Sequence, residues 1–415
     1  MAGVSAAKPP RTVQEHRAVV AALLSPTGVE VVSLAEARGR VLAEPVAAAI
    51  SLPPFDNSAM DGYAVRAADV RGATADAPVT LPVATDIPAG RTDVPPLEPG
   101  TAARIMTGAP VPAGADAIVQ VELTDGGTGR VAISAAPEAG THVRTVGEDV
   151  HEGTVVLDAG TVLGAAQIGV AAAVGRDSLP VRRRPHVLVL STGSELVAPG
   201  EPLAPGQIYE SNGAMLAAAV RDAGATADQL RFVPDDVEQF RKVLAERIVA
   251  GVDLVVTSGG VSAGAYEVVK DALTGHGVEF VKVGMQPGGP QGAGVVEFGE
   301  VSCPVVTLPG NPVSSQVSFE VFVRPALRRA MGHPYAERPV VTARSRDSLR
   351  SPAGRAQFRR GTLDARDGTV GEVGSPASHM LAALARADCL FVVPAEVTEV
   401  REGDELEVWL LDNGV

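Results

Sequence analysis

Aromatic residues make up 3% of this 415-residue chain, lysine occurs only at positions 8, 242, 270 and 282, and there are two cysteines. So few rings leave no stacking platform for single-stranded nucleic acid. A formal charge of −14, from 35 Lys+Arg against 49 Asp+Glu, removes the broad basic field that tracks a phosphate backbone. Cys303 and Cys389 form neither a disulfide framework nor a CxxC pair, which points to a reducing, cytoplasmic setting. No apolar run reaches the roughly 18 residues of a membrane span; the best, Val162 to Val174, is broken by glycine and carries Gln167. Ala18 to Leu24 follows Glu15 and His16 and reads as one face of a helix, not a secretion signal. The expectation is a soluble cytoplasmic protein without nucleic-acid or membrane partners. The seven histidines lack zinc-ligand spacing, Gly-Lys never occurs, and no GxGxxG joins a strand to a helix.

What is present is length, 46% hydrophobic residues, and abundant punctuation from 45 Gly and 32 Pro. One core seldom fills so long a chain, so two to four domains are expected. Two short helices are predicted at the start, Val13 to Leu24 and Leu34 to Ala43. Residues 51–144 alternate short Val/Thr/Ile runs with Pro and Gly, as in a small β domain. Residues 145–182 return beside 1–50, giving a discontinuous first domain. From 183 to 331 strand, loop and helix alternate, which predicts an α/β domain with a doubly wound, parallel or mixed sheet. Residues 332–415 predict a last small β domain.

In an open parallel sheet, ligands bind beyond the carboxyl ends of the strands. Three predicted strands end in polar, glycine-rich turns: Ser191-Thr192-Gly193-Ser194-Glu195, Ser258-Gly259-Gly260-Val261-Ser262 and Pro309-Gly310-Asn311-Pro312. Glycine lets backbone N–H groups approach an anion, and the helix start behind each loop adds partial positive charge. Any one loop is ordinary turn chemistry; three together suggest an oxyanion cradle. Acids at turns and strand ends include Asp56, Asp61, Glu148, Asp149, Glu195, Asp235, Asp236 and Glu267. An anion beside them calls for a divalent ion such as Mg²⁺ between, although Asp236 suits a helix cap better. Eight arginines and two acids lie between Arg338 and Arg366, either an oxyanion-binding set or a solvated basic face. Gly260-Val261-Ser262-Ala263-Gly264 also satisfies GxSxG, leaving a serine esterase built on Ser262 as a rival.

The string Pro54-Phe55-Asp56-Asn57-Ser58-Ala59-Met60-Asp61-Gly62-Tyr63-Ala64-Val65 closely resembles the signature of molybdopterin molybdenumtransferases, the bacterial MoeA proteins and the E domain of gephyrin. Arg104 to Pro110, Gly147-Glu148-Asp149, the three loops above, and Val313-Ser314 after the last of them match in family order. The resemblance implies a homodimer of four-domain chains whose α/β domain is similar to molybdopterin adenylyltransferase. It implies adenylylated molybdopterin and molybdate as substrates, molybdenum insertion with AMP release, and Mg²⁺. Asp61, Asp149, Glu195, Glu267 and Lys282 resemble catalytic residues, and Asp61, Glu195 and Asp235 metal ligands. Contacts to the pterin dinucleotide would come from Thr107, Arg144, Thr192, Gly193, Ser258, Gly259, Gly260, Ser262, Lys270, Pro309, Gly310, Asn311, Pro312, Arg360 and Ser378. The adenylyltransferase and molybdoenzyme apoproteins are implied partners. The chain departs from the family at Gln286-Pro287-Gly288-Gly289-Pro290, where Lys-Pro-Gly-Lys-Pro is usual. A non-catalytic scaffold of the same fold is the alternative.

Overall fold

The computed structural model describes residues 9–232, 236–249, 251–259, 268–298 and 301–411. The first helix, Val13–Leu23, opens with a capping box: Thr12 Oγ1 accepts from the Glu15 amide at 3.1 Å, and the Glu15 carboxylate accepts from the Thr12 amide at 2.8 Å. Its Val13 and Val20 pack into the core of the α/β domain, beside Leu216 and Phe322. The helix predicted over Leu34 to Ala43 does not form. Residues 35–39 turn tightly, Gly39 adopts φ 74°, and Val41 and Leu42 bridge to Val162 and Val181. Arg40, 7% exposed, is committed to Glu30 and the Arg182 carbonyl, so tertiary pairing overrides local helix preference here.

Val29–Ser33 pairs antiparallel with Ser178–Arg182, and Val46–Ala47 with Val155–Leu157, around Leu42, Leu163, Val174 and Leu179. The intervening chain makes a five-stranded sheet, in the order Ala117–Gln120, Gly62–Val65, Ala102–Ile105, Val79–Ile87, Arg130–Ile133. Alternation along Gly62–Val65 sends Tyr63 and Val65 to one core and Ala64 to the other. Gly62 lies so close to its neighbour that a Cβ would run into the Val119 carbonyl. Gly62→Ala should therefore destabilise this domain by about 3 kcal/mol or more, because backbone rather than a flexible side chain must yield. A thermal midpoint equal to wild type would refute that.

The α/β domain carries a six-stranded sheet, in the order Thr226–Phe232, His186–Thr192, Leu254–Ser258, Val301–Leu308, Pro290–Phe298, Val278–Lys282. The first four are parallel; the last two join antiparallel, so the sheet is mixed. Both faces are covered. Val187 and Val189 enter the core under helix Asn212–Asp222 and the chain 312–330, and Leu188 and Leu190 enter the core under Val237–Val249 and Val268–Leu273. Asp236 Oδ1 accepts from the Gln239 amide at 3.0 Å, the cap expected of it. The helix from Pro312 to Ala330 carries a π turn at Phe319–Val323.

The last domain closes on itself. Ala356–Asp364 pairs with Thr369–Glu372 on one side and Cys389–Val393 on the other, and Val340–Ser345 with Glu405–Leu410 completes a barrel. Met285–Gln286 of the α/β domain adds in parallel to Ala356–Gln357, stitching barrel to sheet. Both cysteines are buried and unpaired, and burial pushes the Cys303 thiol up to about 12, far from a reactive thiolate. Among the described residues, no helix is long and apolar enough to cross a membrane.

Candidate active site

His186–Thr192, Leu254–Ser258 and Val301–Leu308 lie side by side in the sheet, so the three glycine-bearing loops that follow them emerge at one edge. The chain leaves His186–Thr192 for Thr226–Phe232 on one side and returns to Leu254–Ser258 on the other, a topological switch point at which a crevice opens. The loops lock together. Asn212 Nδ2 donates to Ser258 Oγ at 2.8 Å and to the Gly310 carbonyl at 2.6 Å, while Asn311 Nδ2 donates to Ser378 Oγ at 2.8 Å. Gly259 packs close to the Thr192 carbonyl and to Gly310, and its φ of 96° is a backbone conformation that favours glycine. The barrel supplies the fourth wall through Pro376 to His379, held by the bond from the Val313 amide to Ser378 O at 3.1 Å.

The resulting cleft has a volume of about 1420 Å³. Of the expected ligand contacts, Thr192, Gly193, Ser258, Gly259, Pro309, Gly310, Asn311, Pro312 and Ser378 line it, as does Glu195. The Glu195 side chain is exposed and folds back over Gly193, near enough that a Cβ there would meet both carboxylate oxygens within 2.7 Å. Gly260, Ser262, Glu267 and Asp235 lie outside the described residues, and with them the GxSxG motif.

Several expected residues sit elsewhere in the single chain. Asp61 and Thr107 form their own unit on the five-stranded domain: Asp61 Oδ1 accepts from the Thr107 amide at 2.6 Å and hydroxyl at 2.7 Å. The amide first and the hydroxyl second hold the Asp61 carboxyl below its usual range. Arg144, exposed, pairs through its strand with Asn57 nearby, and Asp149 follows at the bond from its amide to Leu52 O at 3.0 Å. Lys282 is exposed on the edge strand, and neither it nor Lys270 lines the cleft. Arg360 is not among the residues that line the cleft. It is 3% exposed and donates to the carbonyls of Ser375, Ala377 and Met380; it holds up the loop that lines the cleft.

Glu210 was not foreseen. Its carboxylate, 9% exposed at the cleft wall, accepts from Ser191 Oγ at 2.9 Å and from the Gly213 amide at 2.6 Å. A carboxylate two residues before the helix start at Asn212 was the available signal. Among the described lining residues the only acids are Glu195 and Glu210, His379 is the one basic type, and there is no lysine or arginine. The described walls thus offer backbone amides, hydroxyls and side-chain amides in place of lysine or arginine.

An open α/β sheet with three interlocked strand-end loops, roofed by a barrel, defines a class of protein built around a switch-point crevice. Residues 11–175 match the MoeA N-terminal region (domain I and II), 188–329 a probable molybdopterin binding domain, and 342–411 the MoeA C-terminal region (domain IV). Molybdopterin molybdenumtransferase 2 of Mycobacterium tuberculosis is 57% identical over 406 residues, 96% of this chain and 99% of the relative. Molybdopterin molybdenumtransferase 1 of that organism is 39% identical over 97% and 99%. The crystal structure of the molybdopterin biosynthesis MoeA protein from Pyrococcus horikosii has a TM-score of 0.82 at 32% identity, over 97% of this chain and 99% of that one. The chain belongs to the molybdopterin molybdenumtransferase family.

Proposed function

We propose that this protein acts in molybdenum cofactor biosynthesis, inserting molybdenum from molybdate into adenylylated molybdopterin with release of AMP. The observation that carries the reading is the convergence of three glycine-bearing loops on a cleft of about 1420 Å³. The volume exceeds the roughly 300 to 1000 Å³ of ordinary small-molecule sites, which leaves room for an extended ligand such as a pterin joined through a pyrophosphate to adenosine. The helix start at Pro312 stands at the cleft wall, where its partial positive charge suits a phosphate.

Magnesium fits as an ion shared with substrate. Among the described residues no group of three or more His, Cys, Asp or Glu side chains converges to hold a metal. Glu195 offers an exposed carboxylate on the first loop, and Mg²⁺ commonly takes one or two carboxylates plus phosphate oxygens and water. When bound, it would neutralise and polarise the phosphate. Asn212 and Asn311 fix the loops, Ser258 and Ser378 place hydroxyls at the walls, and the barrel loop closes one side.

Asp61, Thr107, Arg144 and Asp149 complete the site, in this reading, from the second subunit of a homodimer. The cytoplasm is its setting, with an adenylyltransferase upstream and molybdoenzyme apoproteins downstream. The test is to supply adenylylated molybdopterin, molybdate and Mg²⁺ and follow AMP. Asp61→Ala and Glu195→Ala should each abolish release, and co-refolding the two variants should restore it through one intact composite site. Binding without AMP release would favour a scaffold or carrier.

A further inference from the structure

Where the Met285–Gln286 strand meets the barrel strand Ala356–Asp364, three side chains make a chain of one-way hydrogen bonds. Arg359, 5% exposed, donates through Nε to Gln357 Oε1 at 2.8 Å. A guanidinium has only donors, so Gln357 is obliged to turn its oxygen toward Arg359 and its Nε2 away. Gln357, itself 2% exposed, donates that Nε2 to Gln286 Oε1 at 3.1 Å. Gln286 is thereby oriented too: its oxygen is occupied at the barrel, and its Nε2 is left as the donor at the cleft, which Gln286 lines. Arg359 cannot swing, because Glu372 accepts from it at 3.1 Å and the Arg350 carbonyl accepts as well. The following turn is braced from behind, where Gln291 Nε2 donates to Gly288 O at 2.6 Å and Ser318 Oγ at 2.7 Å.

We infer that Gln286 is a specificity residue, whose amide, oriented by Arg359 through Gln357, donates a hydrogen bond to an oxygen of a tetrahedral oxyanion in the cleft. Gln357 and Arg359 are positioning residues. The inference rests on the functional reading above, and the chemistry is shared by molybdate and by the phosphate of AMP. A neutral donor selects for an acceptor atom in a fixed place without adding charge. Recognition at this wall is then only weakly sensitive to ionic strength, unlike that of an ammonium group.

Calorimetric binding of molybdate, and separately of AMP with Mg²⁺, to the full-length protein tests this. Gln286→Glu is nearly isosteric and still accepts from Gln357, but presents oxygen to the ligand. It should weaken one of the two oxyanions by about tenfold or more, which also says whether molybdate or phosphate sits there. Gln286→Lys should tighten that same ligand and make its binding salt-sensitive. Gln357→Glu still accepts from Arg359 yet cannot donate, so Gln286 reverses and the same ligand is lost. Combined with Gln286→Leu it should add no further loss, whereas a merely structural role would be additive. Gln286→Glu and Gln286→Lys variants that bind both oxyanions as wild type does, at low and high salt, would overturn the inference while leaving the functional reading intact. Wild-type protein that binds neither would overturn the functional reading itself.

Discussion

Glu195→Gln should reduce AMP release by about 100-fold or more while leaving the fold as stable as wild type. The reasoning starts from position. Glu195 ends the first of the three loops, its side chain is exposed in the cleft, and its carbonyl accepts from the Ile208 amide at 2.9 Å, which fixes the backbone whatever the side chain. Surface substitutions of this kind usually change stability by no more than about 0.5 kcal/mol. The amide keeps the shape and removes the charge, so the effect falls on cation affinity. A loss of about 2.7 kcal/mol of transition-state stabilisation corresponds to 100-fold in rate, within the several kcal/mol that a Lewis-acidic ion supplies. The magnesium concentration for half-maximal rate should rise, and excess magnesium should recover part of the activity. Glu210→Gln is the control: its carboxylate is occupied by Ser191 and the Gly213 amide, so its change should act on loop geometry and not be relieved by magnesium. Unaltered AMP release by Glu195→Gln at limiting magnesium would remove this residue from the site.

The parts of this site legible in the sequence are those where a local pattern has one structural outcome. A short apolar run such as His186 to Leu190, followed by a Ser/Thr/Gly turn and a helix, has few alternatives to a buried parallel strand ending at a ligand edge. The three loops were readable for that reason, and their adjacency followed once the strands were parallel. Leu34 to Ala43 was misread because its apolar spacing fits a helix, while the Arg182 carbonyl that takes Arg40 and the bridge partners of Val41 and Leu42 lie more than 100 positions away. Arg360 resembled a ligand contact because arginine suits oxyanions; nothing local shows that the barrel closes around it and that three carbonyls of the loop take its donors. That Asp61 and Asp149 lie away from the cleft is likewise set by how the domains pack, which no local pattern encodes. The Gln286 turn was noticed as a loss of charge. Its gain, a fixed donor, needs the barrel strand beside it.

The barrel's hold on the cleft leads to the second large effect: Glu320→Ala should destabilise the protein by about 3–5 kcal/mol. Glu320 lies in the π turn of the 312–330 helix, 3% exposed, where extra helical width turns its carboxylate toward the domain junction. It accepts from Arg338 Nε at 2.8 Å and Nη2 at 3.0 Å, and from Gln316 Nε2 at 3.0 Å, and Arg324 Nε lies 3.7 Å away. Arg338 also donates to the Leu411 carbonyl at 2.6 Å, at the end of the barrel's last strand. One carboxylate thus neutralises two buried guanidinium groups and ties the barrel to the helix that begins at the third cleft loop. Burial already pulls Arg324 down to about 10, with Arg338 and Arg328 adding to the fall and Glu320 opposing it. Removing Glu320 leaves the positive charges facing each other without compensation, the costly way to break a buried pair. Glu320→Gln keeps the shape and an acceptor, and should lose less. Urea unfolding with both variants checks the order, and an alanine variant within 1 kcal/mol of wild type would show that the cluster carries little. Because Arg338 joins the barrel to the same helix, the wall at Pro376 to His379 should loosen first, so oxyanion affinity should fall in Glu320→Gln even where the protein remains fully folded.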